Sequence, residues 1–547
     1  MSEMQNNIPD NKQNNAQTNA NGSADSNENG DIAQRVNNRS LRPRSSDFKN
    51  FMLSGWGEET QDVKPLESSR YTPSRIRDLA EKFLNERIVI PAGNHKTRSN
   101  DCTYMFRPDT SFAYYTGLGE DYEAGAVLVL EPAADGCSGK TEDGKTEDGK
   151  TEAGSHKPIL FVHPRKDQTT QDYYRSAEYG EYWVGPRPGL AELEIMTGFE
   201  TADIETLPEA LKANAGTGAG EYAIRVIRES DETITELVEQ IRFSAGFEDE
   251  EANREKDDLL HEAAAEQRMI KDEYEISEMR KAVNATKRGF DEILKALPSA
   301  LNKPRSERIL EGRFNSVARE EGNDEGYDTI IASGVHAPTL HWMRNTGVVG
   351  SGELLLIDAG VEVNSLYTAD ITRTFPTDGK FTDFQRKLYN AVLESQQAGF
   401  DAAKPGATYS DIHHACMRVI AQYLYDWGIL PVSVEESLSE NGQQHRRWLA
   451  CGVAHHLGLD VHDCAQARYE NYQGAKLRPG MIFTIEPGLY FRENDMLIPE
   501  EYRGIGIRIE DDVLMTENGP EWISSGIPRT AEDVEAWMAR MSEAGNA

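Results

Sequence analysis

Cysteine is scarce in this chain, with five in 547 residues, at Cys102, Cys137, Cys416, Cys451 and Cys464. Their number is odd and none forms a CxxC pair, which indicates neither a disulfide framework nor a thiolate zinc site. Long apolar runs are missing as well. No stretch approaches the ~20 apolar residues that cross a bilayer, so no membrane partner is expected. The first thirty residues hold no basic start followed by an apolar stretch, and no secretory signal is visible. Positive charge is in deficit, with 58 Lys and Arg against 93 Asp and Glu, a net charge of -35. The summed field repels phosphates, which argues against a nucleic-acid partner. A reducing, cytoplasmic setting is the simplest reading.

What is present is long enough for a large core, and at about 150 residues per domain it holds three domains at most. Residues 1–45 are polar and nearly free of aromatics, so they are read as a disordered tail. A second polar segment at 139–154 carries KTEDG twice and then KTEAG. It reads as a flexible loop between two buried strands, AGAVLVLE before it and PILFVHP after it. Residues 70–245, with RIVIPAG, YAIRVI and ELVEQIRF, read as one α/β domain. A connecting helix is predicted over 250–300, with Ile270, Tyr274, Met279 and Val283 near one face and Pro298 and Pro304 interrupting it. Strands and helices are grouped rather than alternating over 265–540, which predicts an α+β domain.

Five residues in that second domain stand out, each an acid or histidine inside an apolar strand or a Gly-bounded turn. They are Asp358 in LLLIDAG, Asp370 in TADITRTF, His455 in GVAHHLGLD, Glu486 in FTIEPGL and Glu510 in IRIEDD. An unpaired buried carboxylate is costly, so such positions need a partner. Singly, each reads as a cap or an ion-pair partner. Together, four carboxylates and one imidazole form a hard, oxygen-rich set suited to a pair of divalent cations such as manganese, cobalt, iron or zinc. Asp358 and Asp370 flank a short turn around Asn364-Ser365, so an antiparallel hairpin brings them together. Arg508 and Glu510, two apart on a strand, face the same side.

IDAG, ADITRTFP, HHLGLDVHD, TIEPGLY and GIGIRIEDD, in this order, resemble the pita-bread metallopeptidases, and most closely their aminopeptidase P and prolidase branch. YMFRPDTSFAYYTGL is similar, more weakly, to a stretch of that family's amino-terminal domain. The resemblance implies a creatinase/prolidase-like α/β domain followed by a pita-bread catalytic domain. It implies that Asp358 chelates one metal, that Asp370 and Glu510 bridge two, and that His455 and Glu486 hold the second. Manganese is the first choice of ion. His341 in APTLHW matches the histidine near the scissile carbonyl, and His462 in LDVHD the one that donates a hydrogen bond to the peptide. Arg508 matches the arginine that holds the bridging Glu, and Tyr490 a pocket tyrosine. Asp358 and Asp370 are 12 apart, one more than the family's usual spacing, and the extra residue is assigned to the turn. Cys451 stands where many members have a histidine four residues before the metal-binding one.

The implied chemistry is hydrolysis of the bond before a proline by a metal-bridged hydroxide, with Glu486 as proton carrier. Peptides with proline at the second position are the expected partners, and a dimer or tetramer the expected assembly. Prolidase, which cuts dipeptides, is the alternative that the shared motifs leave open. A metal-free hydrolase or a binding module of this fold would have lost ligand residues, and all five are present. The large extra domain disfavours a methionine aminopeptidase. His456 beside the ligand, and His413 and His414 on a helix, are read as non-catalytic.

Overall fold

The structure is a computed structural model, and it describes residues 43, 45–57, 61–100, 102–119, 124–133 and 156–545. The repeat segment at 139–154 and nearly all of the polar tail at 1–45 lie outside the described residues.

The first part is a five-stranded mixed sheet. Its strands are β1 (Glu86–Pro91), β2 (Val127–Pro132), β3 (His156–Val162), β4 (Glu200–Asp203) and β5 (Ala223–Val226), in the order β4-β3-β2-β1-β5. The alternation in RIVIP sends Ile88 and Ile90 to one core and Val89 to another. Helices therefore cover both faces. Ile76 and Leu79 of α1 (Thr72–Ala80) and Phe112 of α2 (Thr110–Thr116) share the Ile88 side. Val238 and Ile241 of α3 (Glu232–Ser244) lie on the Val89 side.

The connecting segment differs from its sequence reading. It is two helices, α4 (Glu250–Arg268) and α5 (Glu273–Ala300), rather than one. Asp272 caps α5 in a reciprocal capping box with Glu275, which gives the new helix its own start. In the break, Ile270 bridges to Met481 and the Lys271 amide donates to the Gly480 carbonyl at 2.8 Å. Tertiary pairing thus replaces continuous helix. Pro298 lies inside the last turn of α5 instead of ending it, where few intrahelical bonds remain to be lost.

Two similar halves follow. Helices α5 and α6 (Ser306–Glu321) pack beside strands β6 (Ile330–Ser333), β7 (Leu354–Ala359) and β8 (Ile371–Pro376). Gly289 permits the close approach of α5 and α6, since a Cβ there would meet the Phe314 ring at 2.4 Å. Helices α7 (Asp383–Ala402) and α8 (Tyr409–Asp426) then precede β9 (Ile482–Ile485), β10 (Gly488–Phe491), β11 (Ile505–Arg508), β12 (Asp511–Thr516) and β13 (Gly519–Trp522). All these pairings are antiparallel. The halves join where the Glu510 amide donates to the Thr372 carbonyl at 3.1 Å and Thr374 exchanges hydrogen bonds with Arg508. That seam carries the site.

The first part is clamped to the second through the YMFRPDT stretch. Arg107 Nε donates to Glu362 at 2.8 Å and its Nη2 to the Leu459 carbonyl at 2.6 Å, and Thr110 donates to Asp460 at 2.7 Å. The loop held in this way, from His455 to Asp463, also carries two of the histidines singled out above.

Candidate metal centre

Strand β7 places Asp358 opposite Thr372 of β8, and Asp370 immediately precedes β8. The turn between them falls at Asn364-Ser365, and the buried Leu366 beside it has φ 71°. A left-handed branched residue is rare, and this one is held in place by its buried side chain. Glu486 follows β9 directly, and Glu510 lies between β11 and β12. His455 is fixed by the backbone, its amide donating to Thr484 Oγ1 and its carbonyl accepting from the Thr484 amide.

These elements bring all five predicted ligands to one cavity of about 730 Å³, which His341, His462, Cys451 and Arg508 also line. Donor atoms of Asp370, His455 and Glu510 all lie within 4.8 Å of one another. His455 Nε2 is 3.4 Å from Asp370 Oδ2 and 3.5 Å from Glu486 Oε1. Arg508 Nη2 donates to Asp358, Nη1 to the Tyr490 hydroxyl at 2.8 Å, and Nε to Thr372 Oγ1 at 3.0 Å. Its direct approach to Glu510 is longer, 3.9 Å. Thr372 closes that gap by donating to Glu510 Oε2 at 2.7 Å. The hold expected of Arg508 on Glu510 is therefore largely relayed.

Within this cavity the carboxylates of Asp358, Asp370, Glu486 and Glu510 cluster around the guanidinium of Arg508 and the imidazole of His455. Burial, reinforced by Asp370, holds the Glu510 carboxyl well above its usual range. Burial likewise pushes Glu486 up to about 7 and raises Asp358, although Arg508 opposes both. Burial would lower His455, but its hydrogen bond to Asp370 and the charge of Glu486 prevail and carry it to about 9. So much like charge in a buried space calls for cations. The donor chemistry and the charge fit two divalent ions, with Asp358, Asp370, His455, Glu486 and Glu510 as the residues that would hold them.

His341 is exposed to the cavity, and the imidazole that stacks on Trp342 is His336, at 3.9 Å between centroids. The His462 ring stands perpendicular to His455 with centroids 4.6 Å apart, and burial lowers its pKa. His456 points away from the cluster and is packed against Tyr409 and Tyr472. Sequence reasoning missed Tyr327, whose hydroxyl is 2.7 Å from Asp358 Oδ1 and 2.6 Å from Asp370 Oδ1. It also missed Thr372, and Asp328 and Arg492 at the cavity wall. Tyr327 is one of 21 tyrosines, and only its place just before the apolar strand TII marked it.

A family profile described as Metallopeptidase family M24 matches residues 277–517, and one described as Aminopeptidase P, N-terminal domain, matches residues 73–220. The Xaa-Pro aminopeptidase 1 of Streptomyces coelicolor is 43% identical over 515 residues, spanning 93% of this chain and 95% of the relative. The chain belongs to the aminopeptidase P group of the M24 metallopeptidases. It is a hydrolase, and its family works with divalent metal ions. The human Xaa-Pro aminopeptidase 3 is 32% identical over 520 residues, covering 93% of this chain and 92% of that one. Among solved structures, aminopeptidase P from E. coli in its low-pH form superposes with a TM-score of 0.71 at 28% identity, over 88% of this chain and 99% of that one. Aminopeptidase P folds share the arrangement seen here, an amino-terminal α/β part followed by a pita-bread part. No helix among the described residues is long and apolar enough to cross a membrane.

Proposed function

We propose that the protein releases the first residue of peptides whose second residue is proline. The observation that carries this reading is the complete donor set in one cavity, in a chain 43% identical over nearly its whole length to a named Xaa-Pro aminopeptidase. The chemistry that two divalent cations supply when bound is Lewis acidity, which brings the pKa of a coordinated water towards neutrality and offsets charge on the carbonyl oxygen. Manganese is the proposed ion, on the strength of the oxygen-rich donors.

The chain's own residues do the rest. Glu486, at the cavity wall beside His455, is placed both to take a proton from the attacking water and to give it up. It passes that proton to the proline nitrogen as the C–N bond breaks, because this nitrogen carries no hydrogen and must leave as an amine. The products are a free amino acid and a peptide beginning with proline. His462 and His341 hold the peptide around the scissile carbonyl by hydrogen bonds, and they stabilise the oxyanion as it forms. Arg508 and Tyr490 keep Asp358 and Thr372 in position.

Hydrolysis of Xaa-Pro-Xaa, Xaa-Ala-Xaa and Xaa-Pro peptides tests the reading. The first set should be cut and the second nearly inert. Comparable rates on the first two would refute the proline specificity, and a preference for Xaa-Pro dipeptides would favour prolidase. The full-length likeness to Xaa-Pro aminopeptidases supports the longer substrates. A cytoplasmic location is proposed from the free state of Cys102, Cys416, Cys451 and Cys464. A dimer or tetramer is proposed too, supported by the exposed run Tyr182, Trp183 and Val184 and testable by light scattering.

A further inference from the structure

His341 lines the cavity of the carboxylate cluster, yet among the described residues its side chain makes no hydrogen bond and no ion pair. Burial first, and then the charges of His455 and His341, lower the His462 pKa, so His341 and His462 are neighbours in the cavity. No bond to its own ring keeps His341 there. Its place is set by the backbone on either side, which belongs to the connection between β6 and β7.

Glu307 holds that connection. It is the second residue of α6, and its side chain is wholly buried. Its Oε2 accepts from Trp342 Nε1 at 2.9 Å and from the Gly347 amide. Its Oε1 accepts from the Ser333 amide at 3.0 Å and from His336 Nδ1 at 2.7 Å. An ionised carboxylate only accepts, so all four partners donate to it. These donors stand at the start of the connection, directly after His341, and further along. The packing is close as well. The His336 ring stacks on Trp342 at 3.9 Å between centroids, and a Cβ at Gly347 would meet that imidazole at 2.5 Å and the Glu307 carboxyl at 2.7 Å. Trp342 thus has little freedom to turn, and one peptide bond ties His341 to it.

Building on the proposed role of His341 in holding the peptide, we propose that Glu307 is a positioning residue for the hydrolysis. Through Trp342 and Gly347 it fixes the point at which His341 meets the substrate. Glutamine has the same shape but turns one oxygen into an amide NH2. Either Trp342 and Gly347 or the Ser333 amide then loses its acceptor, and the connection must shift. A displacement of about 1 Å in a group that orients the substrate costs up to about 100-fold in rate.

A double-mutant cycle in the metal-loaded protein, with an Xaa-Pro-Xaa peptide, tests this. Glu307→Gln should lower kcat by up to about 100-fold and change KM less. His341→Ala should lower kcat too, and Glu307→Gln should cost little more in its presence, because coupled positions do not add. Trp342→Phe keeps a stacking ring and removes the Nε1 donor, so it should repeat the pattern and serves if Glu307→Gln folds poorly. Nuclear magnetic resonance gives a readout without turnover. In protein loaded with diamagnetic zinc and carrying isotope-labelled histidine, the His341 signal is identified by its loss in His341→Ala. That signal should shift in Glu307→Gln. Additive effects on kcat, an unmoved His341 signal, or a lower melting temperature with unchanged kcat would each overturn the proposal. Equal cutting of Xaa-Ala-Xaa peptides by the unmodified protein would refute the proline reading alone, since the His341 signal does not depend on which peptide is cut.

Discussion

Two clusters of buried charge share the loop from His455 to Asp463, and they are balanced in opposite ways. Asp463 lies between Arg268 Nε and Lys271 Nζ, each at 3.1 Å, and all three side chains are almost fully buried. Burial alone would raise its carboxyl, but Lys271 and Arg268 outweigh burial and hold it well below the usual range. One acid meets two bases, and the cluster fastens the α4–α5 break to the loop. At the other end of the loop His455 joins four carboxylates that have a single guanidinium among them, and burial there wins for Glu510, Glu486 and Asp358. The first arrangement is complete within the protein. The second lacks that counter-charge within the protein and calls for cations, and this difference in balance sets a structural charge apart from a candidate ligand more sharply than burial does.

The largest effects should come from breaking the incomplete cluster. Glu510→Ala or Asp370→Ala should lose bound metal and lower kcat/KM by more than about 10³-fold, since each residue serves the whole constellation. Elemental analysis beside turnover checks this, and two metals per chain with normal rates in Glu510→Ala would sink the assignment. Asp463→Asn is the counterpart. Removing one partner of a buried ion pair costs about 3–5 kcal/mol, so chemical denaturation should show a loss of that order. Its folded fraction should still carry the wild-type metal content. Metal loss without a loss of stability would erase the distinction between the clusters.

Sequence motifs disclosed the incomplete cluster and not the complete one. Asp358, Asp370, Glu486 and Glu510 interrupt apolar strands within family motifs, and the strand register then brings them together. Asp463, Asp511 and Asp512 are just as buried and end two of the same motifs, HHLGLDVHD and GIGIRIEDD, yet nothing in those motifs shows which bases they meet. The partners of Asp463 come from about 190 residues earlier in the chain, and Asp511 pairs with Arg373 across the seam. Such pairing is a property of the tertiary fold alone. The split of the connecting helix was hidden for the same reason, because the bridge from Ile270 to Met481 outweighs a helical pattern that reads as continuous.

Smaller changes sharpen the comparison. Tyr327→Phe removes the hydroxyl placed between Asp358 and Asp370, and metal affinity should fall about 10–100-fold, as when an outer partner of a ligand is lost. A competition titration with a chelator measures it, and an unchanged affinity would mean that the hydroxyl is incidental. The two clusters also differ in the sign of their pH response. Glu486 is raised from 4.5 to about 7, so in metal-free protein the folded state keeps a proton that the unfolded chain releases across this window. Stability of the stripped protein should therefore fall as pH rises from 4.5 to 7, and the gain on reloading metal should grow over the same range. Asp463 is lowered from 3.8, so its contribution is present above 3.8 and is lost as pH drops below it. Calorimetry of stripped and reloaded protein separates the two, and a stripped melting temperature that climbs from pH 4.5 to 7 would contradict the first.

The smallest effect is expected at Cys451, the departure from the family's histidine. Its side chain is half-buried in the wall of the cavity that holds the carboxylate cluster, and its carbonyl is one of those held by Arg446. Burial, and then the neighbouring Glu486 carboxylate, push the thiol up to about 11, so at neutral pH it is a small uncharged lining group. Hard cations with carboxylates at hand gain little from a neutral thiol. Cys451→Ala should accordingly keep both metals and leave kcat near the wild-type value, with a change in KM of about tenfold or less, as for a small apolar change in a pocket wall. Cys451→His should fold, because the side chain borders a cavity of about 730 Å³ rather than packed core. Elemental analysis after dialysis decides the point. Loss of metal in Cys451→Ala would make the centre a mixed oxygen and sulfur site, and would place the cysteine inside the incomplete cluster instead of on its wall.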